Sequence, residues 1–227
     1  MCSFGDTGCW LLARAVPPIF YTSSELIRIH ESFRNEAEER TCKVIKKRRD
    51  FYTKTHDQVK RFSPYIATYL IELARCAHPV EPLFSEAVMF ASRILFSVDI
   101  NLSCPFPLSY GLGHPLAIVV GGIKTCGSNI FINHGVTIGR YRDDMPVIGS
   151  NVLLMPNSTV VGRSNLGDNI VVSTGITLIN QDVPSNSLVE QIQADHCSFF
   201  LYARTTYQHI SSRIVIFLNN SLFANSI

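Results

Sequence analysis

Two residues near the middle of the chain, Asp99 and His114, have side chains suited to general-base chemistry. Neutral imidazole can take a proton from a hydroxyl group at neutral pH, and it works best when a carboxylate holds its second ring nitrogen. His114 lies in a stretch of small, turn-forming residues, Gly111–Pro115, which could present the ring to a ligand. The two residues are therefore a candidate catalytic dyad, provided that the fold brings them together.

The element that must position this dyad is a six-residue repeat. Apolar residues recur at every sixth position over Val120–Ile138 and again over Ile148–Leu178, and glycine often follows them. A period of six fits neither an α-helix nor an alternating sheet, but it fits a triangular coil with three hexads per turn. Each aliphatic side chain would point into the prism, and a permissive residue would take each corner. We predict a mainly β fold, a left-handed parallel β-helix over residues 98–189.

The repeat also places the candidate dyad. Stepping back by six from Val120 reaches His114, which is then expected at a position that other hexads fill with an aliphatic residue. Because three hexads complete a turn, Asp99 is expected almost directly beneath it at the edge of the first coil. The spacing widens after Ile138, so four extra residues must leave the coil as a loop within Arg140–Met145. Charged residues on such a loop are common in binding sites.

A helical region, residues 1–97, is expected ahead of the coil. Thr22 is expected to begin one helix through a capping box, and Ser63 to cap a second over Tyr65–Cys76. A third helix, about Leu83–Phe96, is apolar on most faces and is expected to pack against the coil that follows it.

Composition argues against several kinds of partner. The formal net charge of +2 is too small to indicate binding to nucleic acid or to an anionic membrane, and the basic cluster Lys43–Arg49 lacks an aromatic base-stacking pattern. No stretch is apolar for the ~20 residues that a membrane span requires. The seven cysteines lack metal-ligand spacing, and no signal-peptide pattern precedes Tyr21. These features predict a cytoplasmic protein.

The chain resembles the serine acetyltransferase branch of the hexapeptide-repeat acyltransferases. The resemblance covers about residues 83–187 and is carried by DINLSCPFPLSYGLGHPLAIVVGG, INHGVTIG, PVIGSNVLLMPNSTVVG and NLGDNIVVSTGITLINQDVPSNS. It implies transfer of an acetyl group from acetyl-CoA to a hydroxyl group, in a homotrimer with its sites in grooves between neighbouring coils. The family's general-base dyad falls on Asp99 and His114. Its CoA contacts, largely through the backbone, fall near Gly139, Arg140, Pro156 and Thr174.

The acceptor is where the chain departs from the resemblance. Serine acetyltransferases carry an Arg-His pair that helps to hold the amino acid, and Asp144 and Met145 stand there instead. This difference favours a sugar hydroxyl of a surface polysaccharide as the acceptor, with serine O-acetylation in cysteine biosynthesis as the alternative. His134, Arg142 and Asp144 are the residues expected to bind the acceptor.

Two further departures leave a second alternative open, a non-catalytic hexapeptide scaffold. The glycine- and alanine-rich turn of the family is Met155–Ser158 here, where Pro156 offers no N–H. The small motif that closes the last coil in the family is replaced by Val189–Ile192. Residues 190–227 lose the repeat and form a tail for which no structure is predicted.

No metal is expected. The zinc-dependent carbonic anhydrases that share this coil use three histidines, whereas His114 and His134 are the only histidines in the repeat.

Overall fold

The computed structural model describes residues 4–46, 61–107, 109–192 and 201–204. The basic residues at 47–49 and most of the predicted tail therefore lie outside the described residues. Helices occupy the first part of the described chain, and none of them is long and apolar enough to cross a membrane. They are α1 (Gly5–Ala15), α2 (Ser23–Ile45), α3 (Ser63–Ala77) and α4 (Pro82–Phe96).

The helix boundaries follow local side-chain chemistry, with one correction. Thr22 caps α2 as predicted: its backbone N–H donates to Glu25 Oε2 at 3.0 Å, and the N–H of Glu25 donates to Thr22 Oγ1 at 3.4 Å. The prediction that Ser63 caps α3 is wrong, because Phe62 holds the cap position and Ser63 already belongs to the first turn. Helix α1 lies in the predicted helical region, although no helix was assigned to that stretch of sequence.

The repeat forms three sheets of parallel strands, which make the three sides of a triangular prism. Sheet A contains β1 (Val98–Ile100), β3 (Ile118–Val120), β6 (Thr137–Gly139), β9 (Thr159–Val161) and β12 (Thr177–Ile179). Sheet B contains β4 (Thr125–Cys126), β7 (Val147–Ile148), β10 (Asn165–Leu166) and β13 (Asp182–Val183). Sheet C contains β2 (Tyr110–Leu112), β5 (Ile130–Ile132), β8 (Val152–Leu154), β11 (Ile170–Val172), β14 (Ser187–Ile192) and β15 (Leu201–Arg204). After β2 each turn of the chain passes through sheets A, B and C in that order.

The predicted hexad positions form the core of this prism. Val120, Ile138, Val160 and Leu178 are aligned by the pairing of sheet A and are at most 1% exposed. Burying such a side chain contributes roughly 1.5–3 kcal/mol, and the gain recurs with every turn of the coil. The six-residue period from Val120 onward is therefore confirmed as the repeat of inward-facing residues.

The first coil departs from the predicted register. Leu112 pairs with Ile132, twenty residues later, whereas Val119 pairs with Thr137, eighteen residues later. The corner between β2 and β3 therefore holds two more residues than the corner above it, and the backbone ladder identifies them as His114–Pro115. The prediction that His114 occupies an inward hexad position is wrong. Leu112 fills that position, and the insertion carries His114 out to the surface.

The second irregularity is the predicted four-residue insertion between β6 and β7. It forms a tight turn in which Tyr141 and Asp144 exchange backbone hydrogen bonds, at 3.0 and 3.2 Å. Arg142 and Asp143 are exposed at its tip, and Arg142 adopts a left-handed conformation with φ of 55°. The charged loop predicted within Arg140–Met145 is thus confirmed.

A ladder of hydrogen-bonded asparagines connects the corners where sheet B passes into sheet C. Asn129, Asn151, Asn169 and Asn186 all have φ between 57° and 62°, a left-handed conformation that asparagine tolerates better than most residues. The Nδ2 of each of the first three donates to the Oδ1 of the next asparagine, at 2.9, 3.0 and 3.0 Å. The ladder therefore satisfies side-chain amides that would otherwise be half-buried without partners.

A buried carboxylate joins the helices to the first coil. Glu72 of α3 is fully buried, and its two oxygens accept hydrogen bonds from Arg40 (2.9 Å), Arg75 (3.1 Å) and Tyr110 of β2 (3.1 Å). Burial raises the pKa of Tyr110 well above its ordinary value, so the phenol stays protonated and donates. Arg75 also donates to the carbonyl of Phe106 at 2.7 Å. This network fixes the helical region against the start of the β-helix.

At the other end of the coil, β14 runs on to Ile192, past the predicted end of the domain. Strand β15 pairs with it in the antiparallel sense and so covers the backbone edge of the last turn of sheet C.

Candidate active site

Three residues that the sequence singled out are stacked at the edge where sheet C meets sheet A. His134, Pro156 and Thr174 occupy equivalent positions in successive corners, called here the C–A edge. The N–H of Asn157 donates to the carbonyl of His134 at 2.9 Å, and the N–H of Gly175 donates to that of Pro156 at 3.0 Å. Pro156 therefore takes part in the ladder through its carbonyl, and its missing N–H leaves the stack intact.

His114 lies at the start of the same edge, in the corner before that of His134. Its side chain is exposed, and its ring centroid lies 6.1 Å from that of the half-buried His134, with the rings inclined at 63°. Within the described part of the chain the imidazole of His114 has no hydrogen-bond partner. The two-residue insertion thus places an exposed imidazole at the border of sheet A.

Asp99 was expected almost directly beneath His114, but the structure pairs it with Val119 and gives its carboxylate another partner. Asp99 pairs with Val119 in sheet A, and its side chain points outward between those of the buried Val98 and Ile100. Its Oδ1 accepts a hydrogen bond from Arg93 Nη1 at 3.0 Å, and among the described residues no hydrogen bond joins it to His114. The dyad therefore remains a prediction. Arg93 was not identified from the sequence.

The outward face of sheet A lies beside this edge and carries two glycines at the ends of neighbouring strands. Gly121 and Gly139 are aligned on it, and no atom of the described chain comes within 4 Å of a Cβ built on either residue. Val119 and Ile179 are each 41% exposed on the same face. The two glycines therefore leave a short stretch of this face without side chains, next to the outward-facing Thr137, Thr159 and Thr177.

The remaining predicted residues lie along the opposite border of sheet A, where it passes into sheet B. Arg140 follows Gly139 at this border, is exposed, and reaches Met145 Sδ at 3.8 Å. Arg142 and Asp144 belong to the inserted turn. The structure thus places His114, His134, Pro156 and Thr174 on one side of sheet A, and Gly139, Arg140, Arg142 and Asp144 on the opposite side. Asp99 lies within sheet A, on β1.

An open cleft of about 610 Å³ adjoins the inserted turn on sheet B. Its lining combines two cationic side chains, Lys124 and Arg163, with three carboxylates. The carboxylates are those of Asp143, Asp144 and Asp182. The sequence pointed only to Asp144, because the other residues come from separate coils that stack only after folding.

Metal-ligating side chains do not converge among the residues that the structure describes. In the ranges that the structure describes, no three side chains of histidine, cysteine, aspartate or glutamate come together in a way that could hold a metal ion.

Comparison with known proteins agrees with this architecture. No family model matches the chain. A serine acetyltransferase candidate of Schizosaccharomyces pombe is 31% identical over 140 residues, which cover 58% of this chain and 52% of that protein. The serine acetyltransferase of Staphylococcus aureus is 28% identical over 109 residues, covering 46% of this chain and 51% of that protein.

Solved structures of serine acetyltransferases have the same fold. The enzyme of Neisseria gonorrhoeae in complex with serine superposes with a TM-score of 0.66 at 21% identity, over 85% of this chain and 83% of that one. A serine acetyltransferase in complex with CoA gives 0.67 at 17% identity, over 82% and 81%. The chain resembles serine acetyltransferases in both sequence and fold.

The resemblance confirms the predicted fold class, a left-handed parallel β-helix preceded by helices. The chain spans about half the length of the curated relatives it matches. These relatives are serine acetyltransferases, the enzyme class of the alternative to polysaccharide O-acetylation.

Proposed function

We propose that this protein is an acetyl-CoA-dependent O-acetyltransferase, with His114 as the general base and L-serine as the better-supported acceptor. The observation that carries the proposal is the exposed imidazole of His114, which a corner insertion sets beside sheet A in a serine acetyltransferase-like β-helix. A neutral imidazole in this position can accept the proton of an acceptor hydroxyl.

His114 would act twice in one turnover. Bound acetyl-CoA supplies a thioester, whose carbonyl carbon is attacked by the acceptor oxygen. His114 takes the hydroxyl proton as the C–O bond forms, and it returns the proton to the sulfur as the C–S bond breaks. The products are then the O-acetylated acceptor and CoA with a free thiol, and the imidazole is neutral again.

Four residues that border sheet A fit an extended CoA chain. Gly139 and Arg140 lie on one side of the face, and Pro156 and Thr174 lie on the other. Gly139 and Gly121 carry no side chain, which leaves room for a pantetheine arm across this face, and the backbone groups at the corners can hold it. A guanidinium such as that of Arg140 is suited to binding phosphate.

A homotrimer would complete the site. One copy presents His114 at the C–A edge of sheet A and the charged turn at the opposite border, so one copy alone does not bring these groups together. Side-by-side packing of copies around a threefold axis would place the turn of one next to His114 of its neighbour. Analytical ultracentrifugation should then give three times the 25.4 kDa mass of the chain.

The mixed charge of the cleft fits an amino acid better than a neutral sugar. Lys124 and Arg163 could pair with a carboxylate, and Asp143–Asp144 and Asp182 could accept hydrogen bonds from an ammonium group. The cleft thus offers an alternative to the missing Arg-His pair. If this is right, Arg163→Ala should raise the KM for L-serine and leave the KM for acetyl-CoA unchanged.

The proposal is tested by following the release of CoA thiol with L-serine and with a panel of sugars as acceptors. We expect turnover with L-serine, and a loss of about 10²- to 10⁴-fold in His114→Ala. His78→Ala is the matched control, because His78 is an exposed histidine at the end of α3. Turnover with sugars alone would restore the polysaccharide acceptor. Absence of both turnover and calorimetric binding of acetyl-CoA would overturn the enzyme proposal in favour of a non-catalytic scaffold.

A further inference from the structure

We propose that Arg93 is a positioning residue, which holds the carboxylate of Asp99 so that it can orient the imidazole of His114. The inference rests on the proposed function. It assigns a role in acetyl transfer to a residue of the helical region, outside the repeat that carries the rest of the site.

The backbone fixes both members of the Arg93–Asp99 pair. Arg93 lies in the last turn of α4, where its carbonyl accepts the N–H of Ser97 at 2.9 Å. Ser97 adopts a left-handed conformation with φ of 53° and ends the helix. Two residues later, Asp99 is held by the ladder between β1 and β3, with Val98 and Ile100 buried on either side. The two side chains therefore meet because helix and strand are rigidly joined.

The contact leaves half of the carboxylate available. Arg93 donates from a single nitrogen to Oδ1 of Asp99, and within the described residues Oδ2 has no partner. The His114 corner leads directly into β3, the strand that lies next to β1. A guanidinium anchored on one oxygen fixes the plane of the carboxylate and leaves the second oxygen to accept an N–H of the imidazole.

If Arg93 had only a structural role, its loss would lower the melting temperature together with the activity. The side chains of Arg93 and Asp99 are 42% and 46% exposed, and exposed ion pairs contribute little to stability. Loss of Arg93 should therefore leave the melting temperature nearly unchanged. A large fall in turnover without a change in stability would have to come from the site itself.

The test compares steady-state kinetics and melting curves of five variants with those of the wild type. They are Arg93→Ala, Arg93→Lys, Asp99→Asn, the double variant Arg93→Ala/Asp99→Asn, and Lys43→Ala. The last is the control, because Lys43 belongs to an exposed ion pair with Glu39 on α2.

We expect Arg93→Ala to lower kcat by about 10- to 100-fold and to leave the KM for acetyl-CoA unchanged. The loss is smaller than the full contribution of a general base, because Arg93 only positions it. Arg93→Lys should recover part of the loss, and the double variant should be no slower than Asp99→Asn, because Arg93 acts through Asp99. An active wild type whose Arg93→Ala variant keeps its kcat overturns this assignment alone, as does an additive loss in the double variant. A wild type without acetyl transfer overturns the proposed function, and this assignment with it.

Discussion

Replacing Glu72 with glutamine should lower the stability of the junction between the helices and the coil more than the replacement of an exposed residue does. The variant keeps the size of the side chain but removes the charge that compensates two guanidinium groups. Arg40 and Arg75 are only 24% and 16% exposed, Glu72 is fully buried, and the hydroxyl of Tyr110 donates to the same carboxylate. An amide has one acceptor oxygen, so at least one of these donors must lose its partner.

The magnitude follows from burial. Removing one member of a buried ion pair costs about 3–5 kcal/mol, because the remaining charge loses its buried counter-charge. For a chain of this size each kcal/mol corresponds to a shift of about 2–4 °C. Glu72→Gln should therefore lower the melting temperature by about 6–20 °C, measured by circular dichroism, and shift the urea midpoint in the same direction.

The matched control is Glu36→Gln. Glu36 forms an ion pair with the same Arg40, but at 3.6 Å and with a side chain that is 60% exposed, so its loss should cost about 0–1 kcal/mol. A Glu72→Gln protein that melts within about 2 °C of the control would refute the reasoning, because it would mean that the buried carboxylate does not hold the two units together.

Three further predictions concern the interior. Ser158→Val should raise stability by about 1 kcal/mol in urea titrations, because its buried hydroxyl has no partner in the described chain; Ser158→Ala should show no loss. Asn151→Ala should cost about 2–3 kcal/mol by removing ladder hydrogen bonds at a left-handed corner, and Asn151→Gly should cost less. Burial lowers the pKa of His30. As the pH falls below about 6.5, the unfolded state therefore takes up a proton before the folded state does, and the contribution of His30 to stability is lost. The melting temperature of His30→Gln should depend less on pH over that range than that of the wild type.

Most of the coil could be predicted because its physical cause is repeated. Val120, Ile138, Val160 and Leu178 each bury an aliphatic side chain at the same place in successive turns, and a single sequence contains many copies of that signal. The capping box at Thr22 could also be predicted from the sequence, because both partners lie within one turn of helix.

The first coil could not be predicted for a specific reason. In a strand, inward-facing residues alternate with outward-facing ones, so Ile118 and Val120 both face the core. An insertion of two residues moves one inward position onto the next inward position and preserves the apparent pattern. His114 was therefore placed in the core, although the backbone ladder assigns that place to Leu112.

The contacts of the site were less accessible for another reason. The hydrogen bond between Arg93 and Asp99 depends on the angle at which α4 passes into β1, and the cleft gathers Lys124 and Arg163 from different coils. Neither arrangement leaves a periodic trace in the sequence, because each depends on side-chain geometry after folding.

The corners of this coil can differ in length without changing the register of the strands. One corner at a border of sheet A is two residues longer than its neighbours and one corner at the other border is four residues longer, yet the strands beyond both keep the same register. Since each turn is templated by the one before it, extra length at a corner leaves the stack intact. A corner at the border of one face can therefore be lengthened or shortened, which adds or removes residues of a binding site without changing the core.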